Sequence, residues 1–135
     1  MKRFFSILAI TILIMGLLTA AAPVPATTFT LVQGLPETMN VGDTYTVIVQ
    51  VDSDQEFIAA QALPSFEFPG KGVVAVQGGS RAGSGTSATL EITFKAKSST
   101  ARMPDGVAPV YVVVGVRYGG GYTAVQEYVF NVTVP

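Results

Sequence analysis

The chain has 135 residues, nine acids against eight bases, and no cysteine, histidine or tryptophan. Those absences exclude a disulfide framework, thiol nucleophiles, the usual zinc ligands and the commonest general base. A near-neutral balance with no basic cluster leaves no electrostatic footprint for nucleic acid.

Lys2 and Arg3 lead into an apolar stretch, Phe4 to Leu18, broken only by Ser6, Thr11 and Gly16, and the small-residue tract Thr19 to Ala22 follows. Basic, then apolar, then small is the plan of a secretory signal peptide, entered as an apolar helix. Cleavage after Ala26 is preferred, because Val24-Pro25-Ala26 sets short residues before the cut and Pro23 disfavours one directly after Ala22; a cut after Ala21 is second. A retained anchor is the rival reading, since Phe4 to Ala22 comes close to the roughly 20 apolar residues that span a bilayer. Residues 1–26 are thus a signal peptide or anchor, and residues 27–135 form one domain, long enough for a core of its own. All nine acids but only six of the eight bases fall in that domain, a net charge of −3.

Thr27 to Gln33 alternates loosely and makes a first strand, with turn chemistry over Gly34 to Asn40. Thr44 to Asp52 follows with period-2 order, setting Tyr45, Val47, Val49 and Val51 on one face and Thr44, Thr46 and Gln50 on the other. An acidic turn, Asp52 to Glu56, closes that strand. Phe57 to Leu63 fits either a helical turn or an extended piece, and Pro64 argues for the latter. Ser65 to Pro69 continues it, Gly72 to Gln77 is a short buried strand, and Gly78 to Gly85 is a flexible loop. Thr86 to Lys97 alternates most cleanly, with Ala88, Leu90, Ile92, Phe94 and Ala96 facing in. A slip of one residue would bury two lysines and a glutamate, so this register is firmly fixed.

The last stretch, Val110 to Val134, reads as two β-rich runs around Gly119-Gly120-Gly121, the signature of a long antiparallel hairpin. Its first run, Val110 to Val116, is almost continuously apolar, as expected of a strand covered on both faces or buried centrally. The second run mixes Gln126, Glu127, Asn131 and Thr133 among apolar residues and reads as the outer, half-exposed partner.

About seven strands separated by turn signals, with no helix after residue 26, predict an all-β fold: a single immunoglobulin-like antiparallel β-sandwich. A single antiparallel barrel is the competing architecture. Val41-Gly42-Asp43 followed by TYTVIVQV, and Gly106 followed by a Tyr-Val-Val-Val run, an Arg-Tyr-Gly-Gly end and a last alternating strand, carry a further likeness. This cadence resembles the immunoglobulin-like modules of prokaryotic, especially archaeal, surface-layer-associated and cell-surface proteins. The resemblance implies a structural or adhesive role and no catalytic motif. The Cys…Trp…Cys hallmark of antibody domains is missing.

Candidate site residues are few. Asp52, Asp54 and Glu56 stand at i, i+2 and i+4 and supply oxygens of the kind Ca²⁺ accepts. They fall short of the roughly 6–8 oxygens required, and Phe57 stands where an EF-hand-type loop needs glycine, so a solvated turn is the competing reading and no cofactor is demanded. Asn131-Val132-Thr133 is an N-glycosylation acceptor triplet, with Asn131 on the solvent side of its strand. Tyr118 and Tyr122 flank the glycine tip, either as an exposed loop that stacks on sugars or anchors a protein, or as a cross-strand pair that pins the hairpin. Phe29, Leu31 and Val32 make Thr27 to Gln33 a self-assembly strand able to add to the sheet edge of another subunit, or else an ordinary first strand.

The expected role is therefore a non-enzymatic secreted or cell-surface structural protein. It would be a subunit of an extracellular filament or surface layer, partnered by copies of itself or another surface protein and joined by β-strand addition. The alternative is an adhesion module that binds a glycan or a protein through the loops at Gly78 to Gly85 and Gly119 to Gly121. Membrane contact is expected only through the N-terminal segment.

Overall fold

The computed structural model describes residues 23–64 and 72–135. The expected signal helix, and the extension at 65–69, lie outside the described residues. Eight strands follow in chain order: β1 (Thr27–Gln33), β2 (Thr44–Phe57), β3 (Ala59–Pro64), β4 (Val74–Gly79), β5 (Arg81–Ala82), β6 (Gly85–Ala96), β7 (Ala108–Arg117) and β8 (Thr123–Val132).

They form two four-stranded sheets. The first has the order β1-β2-β6-β4 and the second β5-β3-β7-β8. Every strand-to-strand pairing within them is antiparallel. Placing the strands in order A, B, E, D on one sheet and C, F, G on the other is the constant-type immunoglobulin arrangement, and β1, β2, β6, β4 and β3, β7, β8 occupy those places. The extra two-residue β5 lies outside β3, pairing Ala60 with Ala82 and Gln61 with Arg81.

Alternation decides which side chains meet between the sheets. Val47, Val49 and Val51 of β2, and Leu90, Ile92 and Phe94 of β6, point inward from the first sheet. Val110, Val112, Val114 and Val116 of β7 meet them from the second, and all are essentially inaccessible. Antibody domains join strands B and F by a disulfide; here those strands bring valines into the shared core instead. Each such side chain contributes about 1.5–3 kcal/mol by leaving water, which lets a cysteine-free domain stand without a cross-link.

Three expectations change. The acidic segment is not a turn: β2 runs on to Phe57, because Asp52, Asp54 and Glu56 keep to the outer side while Phe57 enters the core. The glycine-rich segment 78–85 is mostly strand, since Ser80 crosses between the sheets, its N–H donating to Glu91 O (2.8 Å) and its Oγ accepting from Glu91 N (2.6 Å). The segment 72–77 is not a buried strand: β4 takes an edge of its sheet and only Val74 of it is buried. β7 is central in its sheet, one of the two places expected for it; its inner face is buried, and Pro109, Tyr111, Val113 and Gly115 on the outer face are half-buried.

The chain also stitches its two edges together. After β1 it crosses over to the second sheet, where Thr38 pairs in parallel with Thr133. Met39 N donates to Thr133 O (2.9 Å) and Thr133 N to Glu37 O (2.8 Å). Gly34 makes the crossover, and a β-carbon there would stand 2.7 Å from the Phe130 ring. At the same end Thr100, the one buried polar residue among the described residues, clamps the chain just after β8: its N–H donates to Val134 O (2.8 Å) and its hydroxyl accepts from Val134 N (3.0 Å).

Candidate functional site

The hairpin tip is closed by Gly119–Gly121, where Gly120 (φ 81°) and Gly121 (φ 87°) take the left-handed conformation that glycine adopts without penalty. Tyr118 N donates to Tyr122 O (2.8 Å) across it. The two tyrosines do not form a matched exposed pair. Tyr118 is only 3% exposed and turns its ring into the core, edge-on to Phe57 (6.4 Å, 87°), whereas Tyr122 tilts over it (5.7 Å, 45°) and remains 40% exposed. The Tyr118 hydroxyl lies 2.6 Å from Thr27 Oγ1 and 2.7 Å from Ser53 Oγ. It therefore ties the start of β1 and the far half of β2 to the end of β7, and Tyr118 serves the fold rather than a ligand.

The acids Asp52, Asp54 and Glu56 share one outer face of β2 but do not converge. Successive same-face positions on a strand lie about 6.6 Å apart, too far for three carboxylates to share one ion. Among the described residues no group of three or more acids is arranged to hold a metal. Asp52 instead accepts from Ser87 Oγ (3.0 Å), and Asp54 accepts from Ala26 N (2.8 Å). Asp54 N returns a bond to Ala26 O (3.2 Å), and Gln55 Nε2 donates to Pro23 O (3.1 Å). Residues 23–26 thus extend the packing of β1, contacts that a cut after Ala26 would remove and a cut after Ala21 would keep.

Asn131 is exposed on β8 opposite Pro109, while Val132 beside it is buried. Of the self-assembly residues, Phe29 packs half-buried on the core opposite Val51; Leu31 lies opposite Val49 and Val32 sits at a bulge, 39% and 60% exposed. β1 itself takes the edge place of its own sandwich.

A feature that sequence reading missed is the contrast between the outer faces of the two sheets. The first carries hydroxyls and amides in a connected array. Gln50 Nε2 donates to Ser87 Oγ (2.8 Å), Thr89 Oγ1 donates to Gln50 Oε1 (2.6 Å), and the Thr46 and Thr93 hydroxyls lie 2.8 Å apart. The second face is mixed: apolar side chains stand there among Gln61, Arg117, Thr123, Glu127 and Asn131. Strand register sets Leu63 beside Val113, Val125 beside Gly115, and Val129 beside Tyr111, and Leu63, Val125 and Val129 are 41%, 61% and 48% exposed. A cleft of about 300 Å³ opens there over Gly115, between Gln61, Leu63, Arg81, Arg117 and Thr123. The available signal was the unbroken apolar run of β7, which has no solvent-facing polar alternation.

The chain matches no protein-family model and no curated protein sequence. Two solved structures are similar to it over most of its length. One is the E. coli alpha-2-macroglobulin in its native conformation, at 17% identity over 85% of this chain with a TM-score of 0.46; the chain spans 7% of that protein. The other is murine CRIg, at 12% identity over 84% of this chain and 99% of that one, with a TM-score of 0.35. The fold assignment rests on the strand order and not on these likenesses.

Proposed function

We propose that this domain is a non-enzymatic structural module, exported by its N-terminal segment, that assembles with copies of itself in an extracellular layer or filament by exchanging β1. The observation that carries the reading is how lightly β1 is held. It is an edge strand paired only to β2, and five of its seven residues are exposed. Exchange replaces each β1–β2 contact with the same contact from a neighbour, so the cost is chiefly that of association, the usual economy of strand swapping. The start of the crossover, Gly34 to Pro36, would supply the hinge ahead of the anchored residues 37–39, and the surface-module cadence of the sequence agrees with such a role. The glycan- or protein-binding alternative is less favoured, because Tyr118 is withdrawn into the core and leaves Tyr122 without its partner at the tip.

The absence of native cysteine makes a clean test available. Thr30 and Gln50 are cross-strand neighbours of β1 and β2. A chain of residues 23–135 carrying Thr30→Cys and Gln50→Cys, oxidised at high concentration, should give covalent dimers and longer ladders on a non-reducing gel. Adding Tyr118→Phe, which frees the start of β1, should increase them. Exclusively intramolecular disulfides under both conditions would sink strand exchange.

A further inference from the structure

We propose that the cleft over Gly115 binds a carboxylate, the acidic side chain of an extended peptide segment from another protein. The cleft lies away from β1 and from the hairpin tip, and its role stands whether or not β1 is exchanged.

Strand register places the groups. Arg81, Gln61, Gly115 and Val125 form one row across β5, β3, β7 and β8. Arg117 is the next residue on the same face of β7, with Thr123 beside it. Arg81, Gln61, Arg117 and Thr123 all line the cleft, whose volume is about 300 Å³. Gly115 makes its floor, and a β-carbon there would meet no atom within 4 Å, so the space above is open. Arg81 is rooted about 10 Å from Gly115, two strands across, and Arg117 about 6.6 Å along the same strand. A long side chain therefore approaches the floor from each of two directions.

The charge of the lining selects the ligand. Two of the three arginines after residue 26 line this cleft, and among the described residues no acid does. Glu127 stands one row beyond Gly115 on β8, outside it. Two guanidiniums over one open space repel each other and gain by sharing an anion, and the planar fork of arginine matches a carboxylate. The Gln61 amide and the Thr123 hydroxyl supply neutral donors beside them. On the other side of the floor lie Leu63 and Val113, so a carboxylate flanked by apolar side chains fits where a bare ion would leave that half empty. The volume is at the lower end for ligand sites and holds a residue or two. No aromatic ring lines it to stack on a sugar, which favours an acidic residue of an extended chain over an acidic glycan.

A backbone-amide NMR titration of residues 23–135, which carry both sheets, tests the proposal. The probe is N-acetyl-Val-Glu-Val amide, compared with N-acetyl-Val-Gln-Val amide and with galacturonate. The glutamate peptide should give saturable shifts centred on Gln61, Gly115 and Arg117, with a millimolar Kd that weakens as salt is added. The glutamine peptide should bind on the order of tenfold more weakly, and Arg81→Gln or Arg117→Gln should each weaken the glutamate peptide by a similar factor. Both arginines are exposed, so these variants should keep the wild-type melting temperature. Gly115→Val puts a side chain into the open space and should abolish the shifts in a folded chain. The proposal is overturned by an absence of saturable shifts at these residues, by equal binding of the two peptides, by indifference to both arginine substitutions, or by tighter binding of galacturonate.

Discussion

The two outer faces of this sandwich stand on strands of similar length and share one core, yet they solve the problem of meeting solvent in opposite ways. On the first sheet Thr46, Gln50, Asp52, Ser87, Thr89 and Thr93 bond to one another across β2 and β6. On the second, Leu63, Val113, Val125 and Val129 lie side by side with a cleft among them. A hydroxyl and amide array is satisfied by itself and by water, so it asks for no partner. An apolar face gains by leaving water, at about 25 cal/mol for each Å² covered. The difference teaches that the two sheets are told apart by their outward residues, since both inner faces are rich in valine.

That comparison can be broken from inside. Phe57 is fully buried where β2 ends beneath Tyr118, and it supports strands of both sheets. Phe57→Ala should cost about 3–5 kcal/mol in urea unfolding, with both faces lost in one transition. Separate transitions for the two sheets would mean that the faces do not share a core.

A smaller effect sharpens the contrast. Gln50→Ala removes bonds to Ser87 and Thr89 and should cost about 0.5–1.5 kcal/mol. Val125→Ser on the opposite face removes no side-chain hydrogen bond and should leave stability within about 0.5 kcal/mol. Equal unfolding losses for the two substitutions would erase the distinction between a self-satisfied face and an unfilled one.

The smallest effect concerns alkaline pH. Burial pushes the Tyr128 hydroxyl above its ordinary value of 10.0. The folded chain therefore holds this proton more tightly than the unfolded one. Its contribution to stability is fully present below about pH 10 and is lost as pH rises through the folded value. Melting temperatures measured across that window should fall, and Tyr128→Phe should reduce the fall. An unchanged slope in the variant would assign the decline to other groups.

How much could be read in advance varied by strand. In β6 every inward residue named from alternation, Ala88 through Ala96, lies in the core, because apolar and polar positions there are strictly segregated. The valines of β2 were equally legible. Its continuation through Asp52, Asp54 and Glu56 was not, because acids on an outward face give the same local signal as a solvated turn. Tyr118 was read either as an exposed loop residue or as one of a cross-strand pair pinning the hairpin; its ring does meet Tyr122, but its hydroxyl partners Thr27 and Ser53 lie 91 and 65 residues away and no local pattern announces them. The apolar run of β7 announced a strand either covered on both faces or central in its sheet; it is central, and only its inner face is fully buried.

The sequence by itself determined that this is a chain of short alternating strands with glycine at its tight turn, and that it lacks the side chains of thiol, imidazole and zinc chemistry. Those follow from local stereochemistry and from composition, which need no knowledge of what lies across the core. Only the tertiary structure decided which strands share a sheet, that Tyr118 bridges β1 to β2, and that a connected hydroxyl and amide array lies on one outer face while exposed Leu63, Val125 and Val129 lie on the other. Each of these depends on pairings between segments far apart in the chain, and alternation says which residues face together without saying which strand they will face.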